Sequence, residues 1–259
     1  MSEEICPICN GTGWKIVERA GLSGATRCSC SEATFARVNK ENSGIPPNYR
    51  HASLGNFDVP TPVDNPIAAN TLSLARTKVL SYIRQFPTGD KPGILLVGDS
   101  GTGKTHLAVA TLQALIELGH HGVFFDYQNL LDRIRSSYDA TSGATDREAY
   151  RSALEAEILL LDDLGAHRVT EWVEDTVTSI LTYRCNHQKP LIATTNLSDP
   201  DITGNVLLYK TPGGQEIYKQ TLTEAIGTRA RSRLFEMCSI VRISAVEDYR
   251  IKRRQARRS

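Results

Sequence analysis

At 259 residues and 28.5 kDa, with 40% apolar and 23% charged residues, the chain has room for one substantial α/β core and a small appendage. Its formal net charge of +1 gives no global field that advertises a nucleic-acid partner, although Arg250, Lys252, Arg253, Arg254, Arg257 and Arg258 cluster at the end with no acid among them. That cluster reads equally as a solvated tail or as a contact for a phosphate backbone. No window approaches the ~18 uninterrupted apolar residues of a membrane span, and the start of the chain lacks the basic and apolar regions of a signal peptide. A cytosolic, cytoplasmic protein with no membrane contact is expected, and cysteines there stay reduced.

Four of the six cysteines fall in the first thirty residues, as Cys6-Pro-Ile-Cys9 and Cys28-Ser-Cys30, with Asn10-Gly11-Thr12-Gly13 forming a tight turn behind the first pair. Two short-spaced pairs on a segment too small to bury its own core predict a zinc knuckle, with four thiolates around tetrahedral Zn²⁺ and metal binding as the source of folding energy. The single-residue gap in the second pair departs from the commoner spacing, and a free-thiol loop or a redox pair are the alternatives. Cys185 and Cys238 stand alone in apolar surroundings and read as packing residues. A short helix over 31–40 is expected next. Ile45-Pro46-Pro47-Asn48-Tyr49-Arg50 then imposes an extended path, because each proline disfavours helix before it. The division predicted is a knuckle at 1–45, a linker at 46–64 and a nucleotide-binding domain at 65–259.

Asn65-Pro66 reads as an N-cap with proline at the first helical position, opening a helix toward Phe86. The apolar run Ile94-Leu95-Leu96-Val97 is a strand, and it runs straight into Gly98-Asp99-Ser100-Gly101-Thr102-Gly103-Lys104-Thr105, a complete Walker A loop. Glycines let backbone N–H groups approach phosphate, the helix opening at Lys104 turns its positive end to the same anion, Lys104 reaches the β- and γ-phosphates and Thr105 ligates Mg²⁺. His106 is expected at the edge of this nucleotide site. The helix should stop at Gly119, followed by a strand at 123–125 and a helix from Asn129 to Tyr138. The stretch 141–144 reads as loop, and Thr145-Asp146-Arg147-Glu148 as a capping box.

Ile158 to Leu161 is a continuous apolar run ending in Asp162-Asp163, a Walker B strand. Asp162 is assigned to Mg²⁺, and Asp163 to polarising the attacking water. A helix over 170–187 and a strand at 191–194 complete an alternation that means a doubly wound parallel sheet, whose ligands sit at the carboxyl ends of the strands. Asn196, ending Thr194-Thr195-Asn196, is placed to orient the lytic water or contact the γ-phosphate. Residues 205–220 read as a long surface connection. In Gly227-Thr228-Arg229-Ala230-Arg231-Ser232-Arg233-Leu234, helical two-residue steps spread the three arginines around the axis, so they cannot share one target.

The Ser232-Arg233-Leu234 triplet resembles the arginine-finger position of AAA+ ATPases, with Arg229 as runner-up. The full set, Walker A, Asp-Asp-Leu-Gly at 162–165, Thr-Thr-Asn at 194–196, Ser-Arg-Leu at 232–234 and Glu-Asp-Tyr-Arg at 247–250, occurs in the order seen in the DnaC/DnaI/IstB branch of AAA+ ATPases. The knuckle, the Ile-Pro-Pro-Asn-Tyr-Arg segment and Gly103-Lys-Thr-His-Leu-Ala108 resemble that branch too, so the likeness covers nearly the whole chain. The resemblance implies ATP hydrolysis and ATP-dependent self-association through the finger. It further implies binding of a DnaB-type replicative helicase by the N-terminal region, and help in placing that helicase on single-stranded DNA. Many related ATPases carry Glu where Asp163 stands, and too little chain follows Arg233 for the helical lid of many AAA+ proteins. Arg133, Arg135 and Tyr138, with Arg147 nearby, lie where the branch has an element facing the central channel, and would suit phosphates and a stacked base. An IstB-like transposition helper acting on duplex DNA, and a nucleotide-regulated binding module with negligible turnover, are the alternatives.

Overall fold

The computed structural model describes residues 6–19, 22–137, 144–203, 208–210, 216–218, 220–244, 246 and 248–249. An antiparallel hairpin of β1 (Trp14–Arg19) and β2 (Leu22–Arg27) leads into α1 (Ser29–Asn42), a 3₁₀ turn at Pro47–Tyr49 and α2 (Pro66–Gln85). There follow β3 (Gly93–Gly98), α3 (Lys104–Glu117), β4 (Gly122–Asp126), α4 (Tyr127–Ser136), α5 (Ala144–Glu155), β5 (Ile158–Asp162), α6 (Glu171–Asn186) and β6 (Leu191–Thr195). The chain continues through α7 (Pro200–Thr203), β7 (Leu208–Lys210), β8 (Glu216–Tyr218), α8 (Leu222–Ile226), α9 (Thr228–Met237) and β9 (Cys238–Ile243).

The central sheet is parallel throughout, in the order β4-β5-β6-β3-β9. Its strands are apolar on both sides because both faces are covered. Leu95 and Val97 of β3 pack with α4, α5, α6, α8 and α9, whereas Ile94 and Leu96 pack with α2 and α3. This is the doubly wound architecture expected from the alternation. Strand β6 enters between β3 and β5, so the loop after β3, the acids after β5 and the polar end of β6 all emerge side by side.

Local signals explain most boundaries. The Asn65 side chain accepts the Ala68 amide at 3.0 Å with Pro66 opening α2, and Gly119, at φ 98°, ends α3. Helix α4 starts at Tyr127, two residues earlier than predicted, because Asp126 accepts the Asn129 amide and caps it. Helix α5 begins at Ala144, while the side chains of 144–147, and with them the predicted capping box, lie outside the described residues. The predicted connection at 205–220 contains the β7–β8 hairpin, and 204–207, 211–215 and 219 are outside the description.

The segment after α1 differs most from expectation. Instead of running free as a linker, it is bound to the core. Ile45, Ala52 and Phe57 are buried, the Phe124 amide donates to the Ser43 carbonyl at 2.7 Å, and Gln113 Nε2 donates to the Ala52 carbonyl at 2.9 Å. Below the sheet, the fully buried Arg184 donates to the carbonyls of Ala153, Leu154 and Ala156 at the end of α5 and to those of Glu157 and Pro190. Among the described residues no helix is long and apolar enough to cross a membrane.

Candidate functional site

The loop from Gly98 to Gly103 closes on itself before α3 begins. Thr102 Oγ1 and Lys104 Nζ both donate to the Asp99 carbonyl, at 2.9 and 2.7 Å, and Gly103 occupies the left-handed region at φ 90°. A Cβ on Gly103 would lie 2.7 Å from the Phe57 ring, and one on Gly101 would lie 2.1 Å from the Asp248 carboxylate. Both positions therefore need glycine for space as well as for backbone angle.

Opposite this loop, Thr105 Oγ1 donates to Asp162 Oδ1 at 3.0 Å, and Thr194 Oγ1 donates to the same oxygen at 2.7 Å. Burial holds the Asp162 carboxyl above its ordinary range; the Thr194 and Thr105 hydroxyls oppose the shift, and the Asp163 and Asp126 carboxylates add to it. Asp163 adopts φ 58°, its amide donates to Thr194 Oγ1 at 2.9 Å, and its Oδ1 accepts from Asn196 Nδ2. Two acids from one strand end, a hydroxyl from α3 and an amide from β6 thus form one hydrogen-bonded cluster. A hydroxyl beside a half-buried carboxylate is a donor set for a hard, oxygen-seeking divalent cation, so Thr105 and Asp162 fit Mg²⁺.

Beside the loop lies a cavity of about 390 Å³, lined by Gly101 to His106 and walled by Asn48, Tyr49, Phe57, Asn65 and Tyr249. The size and the aromatic wall suit a nucleotide base and ribose beyond the phosphates. Asp99 and Ser100 do not line it. His106 does, and its Nε2 also lies 2.9 Å from the Ser53 carbonyl, pinning the preceding segment in place. Sequence reasoning missed this wall. Its signal was the Ile-Pro-Pro-Asn-Tyr-Arg segment, which carries no nucleotide chemistry of its own.

The three arginines of α9 divide as helical geometry requires. Arg231 turns inward to a bidentate pair with buried Asp199, at 2.6 and 2.7 Å, while Arg229 is exposed and Arg233 Nη1 donates to Glu236 at 2.7 Å. Arg133 lies over the Phe125 ring at 5.7 Å and Arg135 over the Trp172 ring at 4.8 Å, so both predicted DNA contacts are engaged within the protein. Tyr138, the Arg147 side chain, Glu247, Arg250 and the basic cluster at 252–258 lie outside the described residues.

The sulfurs of Cys6, Cys9, Cys28 and Cys30 all lie within 4.8 Å of one another. The β1–β2 hairpin returns the chain so that Cys28 meets the first pair, and its amide donates to the Gly13 carbonyl at 2.8 Å. Burial raises the Cys9 thiol, but the Gly13 and Gly11 amides and the thiols of Cys30 and Cys6 outweigh it and bring it down to about 6. Crowding by Cys9, Cys6 and Cys28 pushes Cys30 up to about 12. Four cysteine sulfurs this close together could hold a metal ion as thiolates, and the set fits tetrahedral Zn²⁺. Cys238 is fully buried and packs as expected, while Cys185 is partly exposed.

The family model described as IstB-like ATP binding protein matches residues 68–257. The chain is 26% identical over 240 residues to the phage-like element PBSX protein XkdC of Bacillus subtilis, covering 90% of this chain and 79% of that protein. It is 23% identical over 187 residues to the replicative helicase loader DnaC of Escherichia coli, covering 72% of this chain and 70% of that protein. A solved structure described as the DnaC helicase loader superposes with a TM-score of 0.60 at 28% identity, covering 76% of this chain and 99% of that one.

Proposed function

The chain belongs to the IstB-like ATP-binding family, and on that premise we propose that this AAA+ ATPase loads a DnaB-type replicative helicase onto single-stranded DNA. It grips the helicase through the zinc-bearing residues 1–45, and nucleotide state at the core controls self-association and the grip. The observation that carries the reading is the combination of a nucleotide site with a cysteine module whose Ile8, Trp14 and Ile16 are 61%, 55% and 81% exposed. Large apolar side chains with no intramolecular cover are what a partner-binding appendage requires. The similarity to proteins named as helicase loaders supports the same partner class.

At the nucleotide site, the loop amides and Lys104 hold the phosphates, and Thr105 with Asp162 would hold magnesium, which would supply neutralisation of phosphate charge. Asp163 orients and polarises the attacking water. Asn196, which donates to Asp163 here, exchanges that partner for the γ-phosphate when nucleotide binds. Arg233, with Arg229 beside it on the outward face of α9, completes the site of a neighbouring subunit.

Light scattering on the full-length, zinc-loaded protein mixed with its organism's DnaB-type helicase and ATP tests the reading. A complex is expected with the wild type, and none with Trp14→Ser/Ile16→Ser. Lys104→Ala is expected to lose ATP binding. ATP-driven assembly on duplex DNA with no helicase complex would replace this reading with the transposition helper, and ATP binding without turnover would replace it with the binding module.

A further inference from the structure

Residues 194–199, the end of β6 and the four residues after it, reach two places in turn. Thr194 and Asn196 donate to Asp162 and Asp163, Thr195 Oγ1 donates to the Leu164 carbonyl at 2.8 Å, and the Leu197 side chain fills the space where a Cβ on Gly165 would stand, 2.5 Å away. The same segment then grips the last helices. The Leu222 amide of α8 donates to the Ser198 carbonyl at 2.8 Å, and Asp199, fully buried, accepts Nε and Nη2 of Arg231. Arg231 Nη2 also reaches Asp201, and its guanidinium lies 4.3 Å from the Phe235 ring centroid.

A fork-to-carboxylate pair fixes orientation as well as distance, and a stacked guanidinium cannot swivel without losing its ring contact. Asp199 is buried and also accepts the Asp201 amide at 3.1 Å, so releasing Arg231 would remove its guanidinium partner at a site away from water. Segment 196–199 and helix α9 are therefore obliged to move together. Arg229 and Arg233, four positions apart on α9, share its outward face, with Arg231 anchored inward between them.

We propose that the Asp199–Arg231 pair is the positioning link through which occupancy of a subunit's own nucleotide site sets the placement of the arginine it offers to its neighbour. The inference rests on the trans-acting finger proposed above. When Asn196 leaves Asp163 for a γ-phosphate, the displacement is carried over three residues to Asp199 and passes rigidly into α9. Arg231 is thus a positioning residue that touches no nucleotide, and its loss damages the neighbour's site and spares its own.

Turnover in mixed assemblies tests this. Arg231→Lys keeps the charge and loses the fork, and the paired swap Asp199→Asn/Arg231→Gln keeps a neutral hydrogen bond if the first variant folds poorly. Each alone is expected to lower ATP turnover of the assembled protein by about tenfold or more, given what a displaced finger loses, with ATP affinity within about twofold of wild type. Mixing with Asp162→Asn, which has a silent site and keeps the Asn196–Asp163 contact and the finger, is expected to raise turnover per Arg231→Lys chain by about fivefold, as intact fingers from the partner reach competent sites. The control is Arg229→Ala/Arg233→Ala mixed with Asp162→Asn. If the control is rescued and the Arg231 variants are not, the positioning link is overturned while the finger stands. If the control is not rescued, the trans-acting finger fails and takes the link with it.

Discussion

Arg184 offers the sharpest test of how this fold holds its lower edge. Replacing it with methionine keeps most of the side chain's length but removes donors from five carbonyls, those of Ala153, Leu154, Ala156, Glu157 and Pro190. The two Nη atoms share four N–H bonds among these carbonyls, so at about 1.5 kcal/mol for each hydrogen bond from a charged donor, roughly 6 kcal/mol is lost. Burial, which pushes the guanidinium down to about 10, works against the arginine. At about 1.4 kcal/mol per pKa unit, methionine recovers roughly 3 kcal/mol of that cost. The expected net destabilisation is about 3 kcal/mol, at the lower end of the about 3–5 kcal/mol typical of removing one partner from a buried charged contact. Urea unfolding followed by far-ultraviolet circular dichroism, with the slope unchanged, reads this as a lower midpoint. A loss below about 1 kcal/mol would refute the reasoning, since it would mean the five carbonyls find other donors or water.

Four further outcomes follow from the sites. Chelating zinc should unfold the 14–27 hairpin, seen in Trp14 fluorescence, and leave ATP binding by the core intact; a hairpin unchanged after metal removal would sink the zinc assignment. Lowering the pH should release the metal, because thiolates must be protonated to leave it. Asp162→Asn should raise the melting temperature of the nucleotide-free protein at neutral pH and abolish magnesium-dependent turnover. The sign follows from burial, the first cause of the raised Asp162 pKa: a raised folded-state pKa favours the protonated form, so its stability is present at low pH and lost as the group ionises. The stability gain should therefore shrink in acid, and a destabilised variant would contradict it. Phe57→Ala should raise KM for ATP about tenfold with kcat within about twofold, because the ring shapes the cavity and touches no reacting atom; a selective fall in kcat would place Phe57 elsewhere in the chemistry.

Much of the fold was legible because its signals are contiguous. A strand, a glycine-rich turn and a helix succeed one another at 94–118, so the loop's placement needs no distant partner. Runs at 158–161 and 191–194 read as buried parallel strands because helices must cover both faces. The boundary of α4 was misplaced because Asp126 serves both as strand end and as cap, and a side chain with two local roles leaves no mark of which one wins. The segment 46–64 reads as a linker in the sequence for a related reason. Its prolines report an extended backbone but say nothing of what that backbone lies against, and only the folded core shows Ala52 and Phe57 buried beside the phosphate loop.

By itself the amino-acid sequence determined the chemistry available to this protein: the octet ending in Lys104-Thr105, the paired acids at 162–163, the cysteine pairs and the alternation that produces a parallel sheet. Tertiary structure alone decided which of these groups meet. Insertion of β6 between β3 and β5 sets Asn196 on Asp163, and the packing of α9 turns Arg231 to Asp199 while leaving Arg229 and Arg233 outward. Such contacts join residues some thirty positions apart. Neither helical nor strand periodicity reaches that far, so the pairing is set by the order of strands in the sheet and by the cost of burying a charge without its partner.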